Sequence, residues 1–168
     1  MRCSSTWLRI RVLHLSALVL LVAVVRGGAS AQNPTNYVLT RDALNKTLGA
    51  LSDLRAKSLA IKIGGGNLDA EIANLQKQPK VESIIKKRGL SVREFVLTYK
   101  AAAQIREAEK ARDNWQRILQ DPGAAPQAKL DATQKLADSL KNNLFTPEQI
   151  ELVRHRMPDL ETLLTPPQ

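Results

Sequence analysis

Residues 86–104, Lys-Lys-Arg-Gly-Leu-Ser-Val-Arg-Glu-Phe-Val-Leu-Thr-Tyr-Lys-Ala-Ala-Ala-Gln, read as the end of one helix, a sharp corner and the capped start of a much longer helix. Gly89 suits the left-handed position just past a helix end, from which Leu90 folds back onto the preceding turn. Ser91 and Glu94 have the spacing of a capping box, in which each side chain satisfies a free backbone N–H of the other. Phe95, Val96, Tyr99, Ala102 and Ala103 then recur at helical spacing. The pattern runs to about Leu119, and Asp121-Pro122-Gly123 with Pro126 breaks it. Its first half is apolar enough to be the central core element. Residues 106–114 are mostly charged, with Ala108 and Ala111 alone to bury, so this part is expected to project toward solvent or pack loosely until Trp115, Ile118 and Leu119 return to the core.

Shorter helices are expected around this one. The first spans 40–61, opened by Thr40 and Asp42, with Leu44, Leu48, Leu51 and Leu54, continuing to Leu59 or Ile61, as its buried stripe. Gly64-Gly65-Gly66 stops it. No strand precedes these glycines and no Lys-Ser/Thr pair follows them, so they form a corner and not a phosphate cradle. Helices follow over 68–77 (Leu68, Ile72 and Leu75 inward) and from Pro79 to Gly89 (Val81, Ile84 and Ile85 inward). A fifth helix, 127–142, offers Leu130, Leu136, Ala137 and Leu140. A sixth begins at Thr146-Pro147-Glu148-Gln149, a cap, a first-position proline and a capping-box glutamine. It buries Ile150, Val153, Met157, Leu160 and Leu164, and Pro158 should kink or break it near Met157. No alternating polar–apolar stretch argues for a strand. The expected fold is all-α: a small bundle of five to six helices with one long central helix, preceded by a cleavable signal peptide.

The address is read from the N-terminus. Arg2, Arg9 and Arg11 precede an almost wholly apolar run at 13–25, and Ala29-Ser30-Ala31 supplies small residues for cleavage after Ala31. The 13-residue run is short of the roughly 20 residues that span a bilayer. The expected organisation is therefore a signal peptide at 1–31, a loose arm at 32–39, one helical domain at 40–164 and a tail at 165–168, exported to the periplasm or secreted. The one cysteine, Cys3, lies in the signal, so residues 32–168 have neither disulfides nor thiolate metal sites. Such a domain is held by packing alone. Four of the 25 Lys and Arg also lie in the signal, leaving 21 against 16 acids. Residues 77–100 hold seven of those bases and two acids, so the cationic excess is local and can attract anionic partners.

Little in the chain can carry catalysis. After residue 31 there is one histidine, His155, set between Arg154 and Arg156, with Glu151 one turn earlier. That pair is no metal signature, and there is no Cys-x-x-Cys-His haem motif. Glu94 with Glu71 or Glu82 is the best candidate carboxylate pair, and no spacing forces them together. No catalytic residue, metal or cofactor is expected. An exported chain with sparse aromatic–basic interleaving is not expected to bind nucleic acid either. Binding to proteins remains, with Lys86, Lys87, Arg88, Arg93 and Lys100 edging a face whose floor is Phe95 and Tyr99.

Two resemblances accompany this reading. Residues 79–104, ordered as proline, short apolar helix, Gly-Leu-Ser and Arg-Glu-Phe-Val-Leu-Thr, resemble a family of exported bacterial all-helical proteins of uncharacterised function, and residues 143–160 are similar to its C-terminal helix. That resemblance implies an exported all-α protein and brings no catalytic residue or ligand. Phe145-Thr146-Pro147-Glu148-Gln149 is similar to the Leu-Thr-x-x-Gln element of the periplasmic stress chaperones, with phenylalanine in place of leucine, which implies a cradle for unfolded clients. The expected function is a non-enzymatic, chaperone-like or protein-interaction factor of the cell envelope. A small-molecule or lipid-binding bundle, with its ligand between the helices starting at Ser91 and Thr146, and a structural protein without ligand are the alternatives.

Overall fold

A computed structural model describes residues 37–64, 66–142 and 144–164. Among them are seven helices and no strand: α1 (Arg41–Ala56), α2 (Leu68–Gln76), α3 (Pro79–Lys87), α4 (Val92–Gln120), α5 (Pro126–Lys141), α6 (Pro147–His155) and α7 (Met157–Leu164). The chain is all-α with the long helix in place. The sixth expected helix is divided at Arg156, which makes the count seven. Pro158 is the second residue of α7, where its missing N–H costs no helical bond. The expected signal peptide, residues 32–36 of the expected arm and the tail at 165–168 lie outside the described residues.

Local chemistry accounts for most boundaries. Thr40 Oγ1 accepts the Ala43 N–H at 3.2 Å, and Asn67 Oδ1 accepts that of Asp69 at 2.8 Å. Ser91 Oγ accepts the Glu94 N–H at 3.1 Å, one half of the expected box. The box closes on both sides at Thr146, with bonds of 3.3 and 3.0 Å to and from Gln149. After α3, Gly89 has φ +75°. The Gly89 N–H reaches the Lys86 carbonyl and the Leu90 N–H that of Ile85, a Schellman ending.

The end of α1 differs from expectation. Its helix stops at Ala56, not Ile61, in a second Schellman turn: Ser58 N–H to the Arg55 carbonyl and Leu59 N–H to that of Leu54, both 2.9 Å. Here the left-handed position falls to a serine, with φ +53°. A residue with a Cβ pays about 1 kcal/mol in that region. Ser58→Gly is therefore expected to raise the unfolding free energy by roughly that amount, read by urea denaturation; an unchanged or lower midpoint would contradict the strain.

Helix α4 is packed by α1, α2, α3, α6 and α7, and its first half is buried nearly all round, with Leu97, Thr98, Ala101 and Ile105 joining Phe95, Val96 and Ala102. A single stripe understates a helix that has neighbours on every side. Two clusters share it. One joins Leu51, Leu54, Leu75, Val81, Ile85, Leu90, Phe95 and Val96. The other joins Leu39, Leu44, Leu48, Ala102, Ile105, Ile150, Val153 and Leu160. Leu39 was expected in a loose arm, but it is buried, and Tyr37 is tied to Thr98 Oγ1 at 2.9 Å and to Gln149 Nε2 at 3.2 Å. The apolar side chain and these two bonds fix the segment.

Beyond Glu109, α4 pairs with α5. Trp115, Ile118 and Leu119 are half-buried beside α5 and do not rejoin the core. Helix α5 buries Ala132, whereas Leu130 and Leu140, expected inward, are 61% and 66% exposed. Its small residues, with half-buried Leu136, meet α4, and Leu130 and Leu140 are left outside.

Candidate functional site

The Schellman turn at Ser58 swings residues 59–61 back across the end of α1 and opens a groove. Leu51, Leu54 and Arg55 of α1, Leu59, Ala60 and Ile61 of the loop, Tyr99 of α4, and Leu163 and Leu164 of α7 line it, around a volume of about 340 Å³. Arg55 donates to the Thr162 carbonyl and fastens α1 to α7 at its side. Tyr99 is half-buried, and that burial pushes its phenol above the ordinary tyrosine range. Tyr99 also touches the core through Phe95, whose ring centroid is 6.5 Å away. The groove is concave and mostly apolar, and its volume falls within the range of small-ligand sites.

The cationic edge expected at 86–100 is largely occupied by the fold itself. Arg88 binds Asp53 through two bonds of 2.7 Å, which hold the Asp53 carboxyl below the usual carboxylate range. A Cβ on Gly49 would lie 3.1 Å from the Arg88 guanidinium, so a glycine inside α1 gives Arg88 its path across that helix. Arg93 lies 3.3 Å from Asp69, and Lys86 lies 2.8 Å from Glu82. Lys100 is turned inward: its ammonium is 2.7 Å from Glu71 Oε2 and donates to the Gly66 carbonyl at 3.0 Å. Glu71, which is buried, also accepts the Gly64 N–H at 2.9 Å. This pair clasps the glycine corner to α4. Phe95 has no exposed surface and cannot be the floor of a binding face. Lys86 and Lys87 remain exposed at the α3–α4 corner. Of the seven expected partner-binding residues, only Tyr99 lines the groove.

The residues considered for catalysis are separately engaged. Glu71 pairs with Lys100, and exposed His155 lies 3.6 Å from Glu151. Among the described residues no three His, Asp or Glu side chains converge as a metal site would require, and no helix is long and apolar enough to cross a membrane. Gln149, the last residue of the chaperone-like element, is consumed by its cap and by the Tyr37 carbonyl. Compared with protein-family models, curated proteins and solved structures, the chain matches none.

The groove was not legible as such in the sequence. Leu59 and Ile61 keep the apolar rhythm of α1 and read as its continuation. The one local signal was the polar Lys57-Ser58 pair interrupting that rhythm, weak beside the triple glycine that follows.

Proposed function

We propose that this chain is an exported, non-enzymatic helical protein of the cell envelope that acts by binding other proteins, in a chaperone-like manner, through the groove between α1, residues 59–61 and α7. The observation that carries this reading is the open apolar lining of that groove, from Leu59 and Ile61 to Leu163. Apolar side chains of a partly unfolded client gain about 25 cal/mol for each Å² they bury there. Lys86 and Lys87 are not among the residues that line the groove, so this reading rests on apolar burial and not on charge.

The test uses protein recovered from an exporting cell, its N-terminus read as Gln32, in a light-scattering assay with chemically reduced insulin. Suppression of aggregation is expected to persist at high salt. Ala60→Trp, which fills the groove from an exposed position, should weaken it several-fold, while Lys86→Glu with Lys87→Glu should change it little. No suppression at several-fold molar excess would sink this reading. Suppression that fades with salt and with the lysine variant would move the site to the cationic edge. The groove's volume also favours a second reading, a small apolar ligand or lipid, which native mass spectrometry would reveal as a bound mass lost in Ala60→Trp.

A further inference from the structure

Helix α5 has two apolar faces, and α4 covers one of them. Toward α4 lie buried Ala132 and half-buried Ala128, Leu136 and Ser139. On the adjoining side, about a third of a turn round the helix, Leu130, Thr133, Ala137 and Leu140 recur at alternating spacings of three and four, the a and d positions of a coiled-coil seam. All four are exposed, and α4 is the one helix packed extensively on α5. We propose that the chain forms a two-fold dimer in which α5 packs antiparallel on α5 of a second copy.

The seam is complementary to itself when turned end for end. An antiparallel pair brings a positions against d positions, so Leu130 meets Leu140 of the second copy and Thr133 meets Ala137. Both copies present the same patch, as a two-fold interface requires. The charges agree. Lys141, on the seam's flank, comes beside Gln127 and Asp131 of the second copy, and the helix dipoles run in opposition. A parallel pair would set Lys141 beside Leu136 and align the dipoles. At 16 residues the helix offers about 24 Å of contact, at the small end of specific interfaces. The dimer is accordingly weak. Helix α5 supplies no residue to the groove, so this dimer stands or falls apart from the binding reading.

Sedimentation equilibrium of the exported protein between about 5 μM and 1 mM would read so weak an association. The expected result is a reversible monomer–dimer transition. Leu130→Glu should weaken it by about tenfold or more, with an unchanged circular-dichroism melt, because the side chain is already largely in water. Asp131→Lys and Lys141→Asp should each weaken it, and the two together should restore it. A monomer at every concentration, or a dimer indifferent to Leu130→Glu, would overturn the interface. Failure of the double exchange to restore association would overturn the antiparallel pairing.

Discussion

Phe95→Ala is expected to lower the unfolding free energy by about 3–5 kcal/mol, the range for deleting a fully buried phenylalanine. The ring has no exposed surface and lies in the cluster that joins α1, α2, α3 and the start of α4, so its loss leaves a void that four helices must collapse to fill. Domains of this size have roughly 5–15 kcal/mol in all, and the melting temperature should fall by about 10–20 °C. Phe95→Leu, which keeps most of the volume, should cost about 1.5 kcal/mol or less. The pair of variants separates core from surface. If Phe95 were the floor of a binding face, truncation would weaken binding and leave the melt in place. Calorimetric melts within a degree or two of each other would show that, and would contradict the packing described above.

The same residue illustrates how far the sequence could be read. Spacing placed Phe95 on the apolar side of a long helix, and capping chemistry at Gly89, Ser91 and Thr146 placed the corners, because those signals act within four residues. What spacing could not supply was the number of neighbours around α4. A helix with one covered side and a helix surrounded by five others can share one stripe, and Leu97, Thr98, Ala101 and Ile105 distinguish them here. Helix α5 shows the converse. Leu130 and Leu140 have core spacing, yet the face of Ala128, Ala132 and Leu136 is the one that meets α4. Both faces are apolar enough to be buried, and closeness of approach decided between them.

The candidate site was less legible because each of its parts depends on distant residues. Lys100 belonged by composition to a cationic rim, but Glu71 lies 29 positions earlier and draws it inward. Arg88 is likewise held by Asp53, on a different helix. Ion pairs between helices leave no periodic trace, so a run of bases reads as a free surface until its partners are placed. The groove depends on a serine adopting a glycine-like conformation, which no local rule favours.

Glu109 is the strongest case of such a hidden partner, and Glu109→Ala is expected to cost about 2–3 kcal/mol. It lies in the charged stretch of α4 that reads as solvated, yet it is buried. Its carboxylate accepts from Arg112 at 2.6 Å and from Arg154 Nε of α6 at 3.1 Å, and this bond holds the Arg154 guanidinium further above its ordinary value. Removing it strands Arg112, which is mostly enclosed; Arg154 is about half exposed and can recover water. The cost therefore falls below the full range for a broken buried pair. Glu109→Gln keeps the shape and one acceptor and should cost about half as much. Raising the salt should change little, because an enclosed pair is screened far less than a surface one. The loss should also be local. Glu109 joins α4 to α6, so amide exchange over Ile150 and Val153 should quicken more than exchange over Val81 and Ile85 at the other end of the bundle. Equal exchange at both ends, with a loss under about 0.5 kcal/mol, would return Glu109 to the solvated face that the sequence suggests.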